Sequence, residues 1–296
     1  MRPVPRIAIT AGDPAGIGPE IAEKAAADPR VRAVCDPLIY GVGGVGGAGK
    51  QFEPGMLSAA AGQAAYETIL RAVRDAEAGG VQAIATAPIN KEALALAGLP
   101  WRGHTDMLAA LTNTRDVAMM FHSDKLRVVL ATIHIPLSEV PSALTVESLG
   151  IIIRLTAEWM PKFGFAKPRM ALAGLNPHAG EHGIIGQEEE RVIVPAVTQG
   201  QQAGVDITGP WPGDTVFSRA LRGEFDVVIA CYHDQGLIPV KLVAFGEAVN
   251  VTLGLPIIRT SVDHGTAFDI AGRGQANPES MVQAVLLAAK LAKHGA

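Results

Sequence analysis

Three of the eight histidines in this 296-residue chain share a setting that the others lack. His134 stands in Thr132-Ile133-His134-Ile135-Pro136, His178 in Asn176-Pro177-His178-Ala179-Gly180, and His233 in Tyr232-His233-Asp234-Gln235-Gly236. Each follows directly on an apolar, β-branched run that reads as a strand. Three neutral imidazoles that leave one coordination position open make a catalytic site for a divalent metal. No HxH or HExxH pattern ties the three together, so spacing alone leaves a second reading standing: separate structural or substrate-binding histidines.

Other side chains suit an anionic ligand. His104, in Gly103-His104-Thr105-Asp106, lies at an expected helix start, where unsatisfied backbone N–H groups favour a phosphate or carboxylate. An equally weighted reading makes Thr105 or Asp106 the helix cap and His104 a surface residue. His264 has a similar context, whereas His122, His182 and His294 read as solvated. Lys241, Asn250 and Arg259 follow His233 among apolar residues and turns, and a Lys and an Arg beside a cleft grip anions, the Arg bidentately. Taken singly, each reads equally as a solvated surface group. Asp214 and Asp234 are carboxylates that orient a histidine, ligate a metal or cap a turn, and Asp234 is the candidate for accepting a substrate proton.

These residues need elements to place them. Strand-like runs cover Arg6 to Thr10, Leu38 to Tyr40, Ala83 to Thr86, Arg127 to Thr132, Met170 to Gly174 and Val227 to Ala230. Helical spacing covers Pro19 to Ala27, Ser58 to Ala78, Thr145 to Met160, Gln187 to Gln202 and Pro278 to Lys293. Alternating strand and helix predicts an α/β protein with mainly parallel sheets, whose ligands collect at the carboxyl ends of the strands. The turns there read GDPAGIGPE, APINKEA, IHIPLSE, LNPHAGEHG and CYHDQG. The first is neither GxGxxG nor GxxxxGK[ST], and a tight strand-to-helix turn explains its glycines as well as a phosphate loop does. No acidic residue stands where a Rossmann unit holds its ribose, so a dinucleotide site here is not of Rossmann form. Gly41 to Gly49 reads as a flexible loop.

Composition narrows the classes. A net charge of −4 without a basic block argues against nucleic-acid binding. With 48% apolar residues the chain can fill a core, yet its apolar runs are strand-sized, so no membrane span is expected. Met1-Arg2-Pro3 leads straight into the first strand without a secretory signal, which predicts a cytoplasmic protein. Cys35 and Cys231 read as buried thiols and not as metal ligands.

Taken in order, GDPAGIGPE, TAPINKEA, GHTDMLA, LNPHAGE, PGDTVF, CYHDQG and NVTLGLPIIRTSVDHGTAFDIAG resemble the 4-hydroxythreonine-4-phosphate dehydrogenase family. The resemblance implies one divalent metal (zinc, magnesium or cobalt) on His134, His178 and His233, and substrate contacts from His104, Thr105, Lys241, Asn250 and Arg259. It implies NAD as the oxidant, and a homodimer in which His233 ligates the neighbouring subunit's metal. The implied fold is that of isocitrate and isopropylmalate dehydrogenases: two α/β domains around a cleft, with a non-Rossmann NAD site. Residues 1–120 with 240–296 would form the first domain, and 121–239 the second, which carries the dimer interface. The implied reaction oxidises 4-phosphooxy-L-threonine to a β-keto acid that loses CO2 to give 3-amino-2-oxopropyl phosphate, a step of vitamin B6 biosynthesis. Siblings of the family act on 4-phospho-threonate, 4-phospho-erythronate or a terephthalate cis-dihydrodiol, and GHTDMLA and IPVKL lie somewhat closer to them. Two features depart from the family pattern: the glycine-dense 41–49 stretch, which replaces a longer segment, and His182.

Overall fold

A computed structural model describes residues 4–41, 43–45, 47 and 52–294. The chain forms two compact units, Met1–Arg115 with Leu255–Ala296, and Asp116–Gly254. Unit one runs β1 (Arg6–Thr10), α1 (Gly18–Ala27), α2 (Pro29–Arg32), β2 (Asp36–Tyr40), α3 (Ala59–Glu77), β3 (Ala83–Thr86), α4 (Lys91–Leu96) and α5 (His104–Leu111). Unit two continues with β4 (Ala118–His122), β5 (Arg127–Leu130), α6 (Val140–Ala143), α7 (Val146–Trp159), β6 (Met170–Ala173), α8 (Val194–Gln202), β7 (Ile207–Trp211), α9 (Val216–Leu221), β8 (Val227–Ala230), α10 (His233–Ala244) and β9 (Val249–Leu253). The chain then returns to unit one with β10 (Arg259–Ser261) and α11 (Glu279–His294).

In unit one the strand order β2-β1-β3-β10 is parallel throughout. β3 is buried along its whole length, which is why it carries an unbroken run of apolar and small residues instead of alternation, while β10 is equally buried but polar. α11 packs on β3 and β10, and its Met281, Val282, Val285 and Leu291 are fully buried. The tight first turn is sterically compulsory: Gly12 has φ +66°, and a Cβ there would sit 2.2 Å from the Pro88 carbonyl oxygen. Of the expected loop at 41–49, residues 42, 46 and 48–49 lie outside the described residues.

In unit two the order is β9-β4-β5-β8-β6-β7. β5, β8, β6 and β7 run parallel, as expected, but β4 is antiparallel to both β5 and β9. A short turn joins β4 to β5, closed by the Leu126 N–H donating to Ser123 Oγ at 3.0 Å, and so short a link permits only a hairpin. α9 and α10 cover one face of this sheet, burying Val216, Leu237 and Val240 against Val128, Leu130, Ala171 and Val228. At Gly236 a Cβ would lie 2.5 Å from Leu130 Cδ2 and 2.8 Å from Val128 Cγ1, so only glycine lets α10 settle onto β5. Among the described residues no single helix is long and apolar enough to cross a membrane.

Candidate active site

Pairing between β5 and β8 continues past both strand ends and brings two histidines together. The Ala131 N–H donates to the Ala230 carbonyl (2.8 Å), and Thr132 donates through its N–H and its hydroxyl to the Cys231 carbonyl (3.2 and 2.8 Å). Cys231 and Thr132 are buried, so the two following segments, carrying His134 and His233, leave the sheet side by side. Their rings lie 5.7 Å apart, tilted by 46°.

His233 opens α10, and its Nδ1 lies 2.7 Å from Asp234 Oδ1. With the carboxylate accepting, Nδ1 carries the proton and Nε2 keeps its lone pair, the tautomer a metal ligand requires. Gln235 fixes the same helix end: its Oε1 accepts the Cys231 N–H at 2.6 Å, while its Nε2 donates to the Gly174 carbonyl at 2.7 Å. Burial pushes the Cys231 thiol up to about 12, which keeps it a neutral packing group, as its sequence context suggests.

His178 is presented by the turn after β6, with φ 54° and ψ 25°. It lines a cavity of about 730 Å³ within unit two, together with Asn176, Asp214, Tyr232, Asp234 and Leu242. The structure thus places His134 beside His233, and His178 on a cavity wall shared with Asp214 and Asp234. Among the described residues of one chain, no group of three His, Cys, Asp or Glu side chains is close enough to hold an ion. The donor types fit a divalent metal.

The expected anion-binding residues are divided between the units. In unit one His104 is the first residue of α5, and its Nε2 is buried without a hydrogen-bond partner. Burial, reinforced by the positive charge of Arg259, holds its pKa well below the ordinary histidine value, so the ring is neutral. Gly103, not Thr105 or Asp106, occupies the cap position, and the Asp106 carboxylate accepts the Arg102 N–H. Arg259 is 2% exposed and donates through Nε and Nη2 to Thr86 Oγ1 at 3.1 and 2.8 Å. Burial pulls its guanidinium down to about 9, and an anion bound there would restore the lost stabilisation of its charge. In unit two Lys241 sits in the last turn of α10, while Asn250 Oδ1 on β9 is buried without a partner, an acceptor left for a ligand.

Two residues depart from their sequence context. His122 is buried and stacked on Phe163 at 5.1 Å, because β4, in which it lies, is an interior strand of the sheet. Asp13, inside GDPAGIGPE, is fully buried: Oδ1 accepts the Ala15 N–H at 2.9 Å, Oδ2 has no partner, and burial raises its pKa. Its sequence signal, an aspartate between glycine and proline, is that of any turn.

The fold is α/β, and His134, His178 and His233 all follow the carboxyl ends of parallel strands. The fold is shared with isocitrate dehydrogenase from Methylococcus capsulatus, which superposes with a TM-score of 0.51 at 19% identity, a likeness of fold alone. The family model described as Pyridoxal phosphate biosynthetic protein PdxA matches residues 20–288, and the chain belongs to that family. It is 46% identical to a 4-hydroxythreonine-4-phosphate dehydrogenase from Desulforapulum autotrophicum, over 96% of this chain and 95% of the relative. It is also 44% identical to a D-threonate 4-phosphate dehydrogenase from Salmonella typhimurium, over 97% and 98%. A crystal structure of 4-hydroxythreonine-4-phosphate dehydrogenase from Klebsiella pneumoniae superposes with a TM-score of 0.89 at 41% identity, covering 98% of each chain.

Proposed function

We propose that the chain is a metal-dependent, NAD-linked dehydrogenase of a small phosphorylated hydroxy acid, with 4-phosphooxy-L-threonine as substrate. The observation that carries this reading is that His134, His233 and His178 follow the carboxyl ends of three adjacent parallel strands, β5, β8 and β6, with Asp234 fixing the tautomer of His233. A zinc, magnesium or cobalt ion bound by the three histidines would supply Lewis acidity toward the reacting hydroxyl. With NAD bound as hydride acceptor, the substrate alcohol would be oxidised to a ketone β to the carboxylate, giving up a hydride and a proton, and the β-keto acid would lose CO2 to give 3-amino-2-oxopropyl phosphate.

The chain's own groups bind and orient. Arg259 and the neutral His104 offer buried N–H donors to a phosphate or carboxylate, and Thr105, next to His104 in the chain, adds a hydroxyl. Lys241 adds a cation and Asn250 a buried acceptor. Asp234 is 73% exposed, which suits an orienting carboxylate better than a desolvated base, and it is the one candidate for receiving the hydroxyl proton. Among the described residues one chain does not gather all three ligands, and this reading completes the site in a homodimer with His233 of the partner subunit. In support, α10 exposes Ile238 (59%) and Leu242 (80%), with Phe245 (82%) just beyond its end, a stripe one or two helical turns long beside His233.

A second reading has its own support: relatives that act on D-threonate 4-phosphate match this chain almost as well. A panel of 4-phosphooxy-L-threonine, threonate 4-phosphate, erythronate 4-phosphate and a cis-dihydrodiol dicarboxylate, assayed for NADH with and without added metal, separates the two. NADH from the first substrate, dependent on metal, is expected. NADH from threonate 4-phosphate alone reassigns the substrate, and no NADH from any of them refutes the reading.

A further inference from the structure

The turn carrying His178 has a backbone that L-residues avoid. His178, Ala179, Gly180, Glu181 and His182 have φ of 54°, 55°, 77°, 44° and 57°. A left-handed run with a single glycine is sterically strained and persists only where its surroundings hold it.

A pair of carboxylates holds it. Glu189 is 2% exposed; its Oε1 accepts the Asn176 backbone N–H at 2.7 Å and its Oε2 the Asn176 side-chain amide at 2.9 Å. Glu188 Oε2 accepts the second hydrogen of the same amide at 2.7 Å and the Gln187 N–H at 3.0 Å. Asn176 is thus gripped at both its donor groups, two residues before His178. Three glycines make room for the grip. A Cβ on Gly180 would lie 2.7 Å from Glu189 Oε2, one on Gly174 would lie 3.3 Å from Glu189 Oε1, and one on Gly186 would lie 2.4 Å from Asn176 Nδ2. Glu189 also opens a π-turn, Glu189–Ile193, a rare backbone form that aims its side chain back at the loop.

We propose that Glu189, assisted by Glu188, is a positioning residue for His178: a carboxylate clamp on Asn176 that holds the left-handed turn and keeps the imidazole where a divalent cation takes it. This rests on the reading of His178 as a metal ligand. Groups behind a ligand commonly set metal affinity by 10- to 100-fold, by fixing the ligand's orientation.

The test is cobalt(II) titration of the full chain, read by calorimetry and by the visible d–d absorption, for Glu189→Ala, Glu189→Gln and Asn176→Ala, each also in a His178→Ala background. Glu189→Ala and Asn176→Ala are expected to weaken cobalt binding by about 10- to 100-fold and to change the d–d spectrum. Glu189→Gln keeps one of the two acceptors and falls between. In the His178→Ala background Glu189→Ala is expected to cost nothing more, because it acts only through that ligand. Wild-type affinity in a folded Glu189→Ala protein overturns the proposal, as do equal losses with and without His178. Should Glu189→Ala not fold, Asn176→Ala, which removes the side-chain amide bonds to Glu188 and Glu189 and keeps the backbone one, decides alone. A His178→Ala protein that keeps full cobalt affinity overturns the metal reading itself, and the clamp with it.

Discussion

At the scale of single residues, the chemistry depends on which form each imidazole takes. Asp234 lies 2.7 Å from His233 Nδ1 but is largely exposed, so its contribution is orientation, moderated by water. Asp234→Asn is therefore expected to lower metal affinity by about 10-fold while excess metal restores kcat. A kcat that stays depressed more than 100-fold at saturating cobalt would instead make Asp234 the proton acceptor. His104 carries a pH signature. Its folded-state pKa is depressed by burial and by Arg259, so below its ordinary value of 6.5 the unfolded chain takes up a proton that the folded chain refuses. Stability from this group is present above that pH and is lost as pH falls through it. Urea unfolding at pH 5.5 and 7.5 should show a smaller decline toward acid in His104→Gln than in the parent chain, and equal declines would contradict the assignment. The three histidines were visible in the sequence because each follows a strand-like run. The left-handed turn at His178 was not: Pro177, His178 and Ala179 give no local sign of positive φ, which distant carboxylates impose.

Elements convert those residues into a site through the register of strands and the seating of helices. β1, β3, β5, β6 and β8 were legible because burial on both faces demands continuous apolar runs. β4, β7, β9 and β10 were not, for identifiable reasons. β4 is methionine-rich, β7 contains Gly209 and Pro210, β9 alternates around Asn250, and β10 is three residues of Arg, Thr and Ser. Pairing with neighbours, not intrinsic preference, makes them strands. α10 was likewise hidden, since Gly236 and Pro239 both discourage a helix. Tertiary packing overrides them: Gly236 is the contact that lets α10 approach Val128 and Leu130, neither of which can give way. Gly236→Ala is accordingly expected to destabilise the chain by about 1–3 kcal/mol through overpacking. It should also displace His233, so thermal unfolding and metal content ought to fall together. A loss of stability with metal binding intact would show that α10 can shift without disturbing His233.

For the whole molecule, the division of ligands makes a prediction about mixed dimers. If His134 and His178 of one subunit complete their site with His233 of the partner subunit, then His178→Ala and His233→Ala are each inactive as homodimers, yet they are complementary. In a mixed dimer one site lacks two ligands, while the other has an intact His134 and His178 facing an intact partner histidine. Equal mixing with free exchange gives half mixed dimers, each with one complete site of two, so activity should return to about a quarter of the parent value under the symmetry of a two-fold dimer. Recovery must also depend on association. Leu242→Glu and Phe245→Asp, at exposed apolar positions on and just beyond α10, should shift the chain toward monomer by sedimentation and abolish the complementation. Activity that stays at zero on mixing, with exchange verified by tagged subunits, would place all three ligands within one chain and require the His178 turn to move toward His134 and His233 when metal binds.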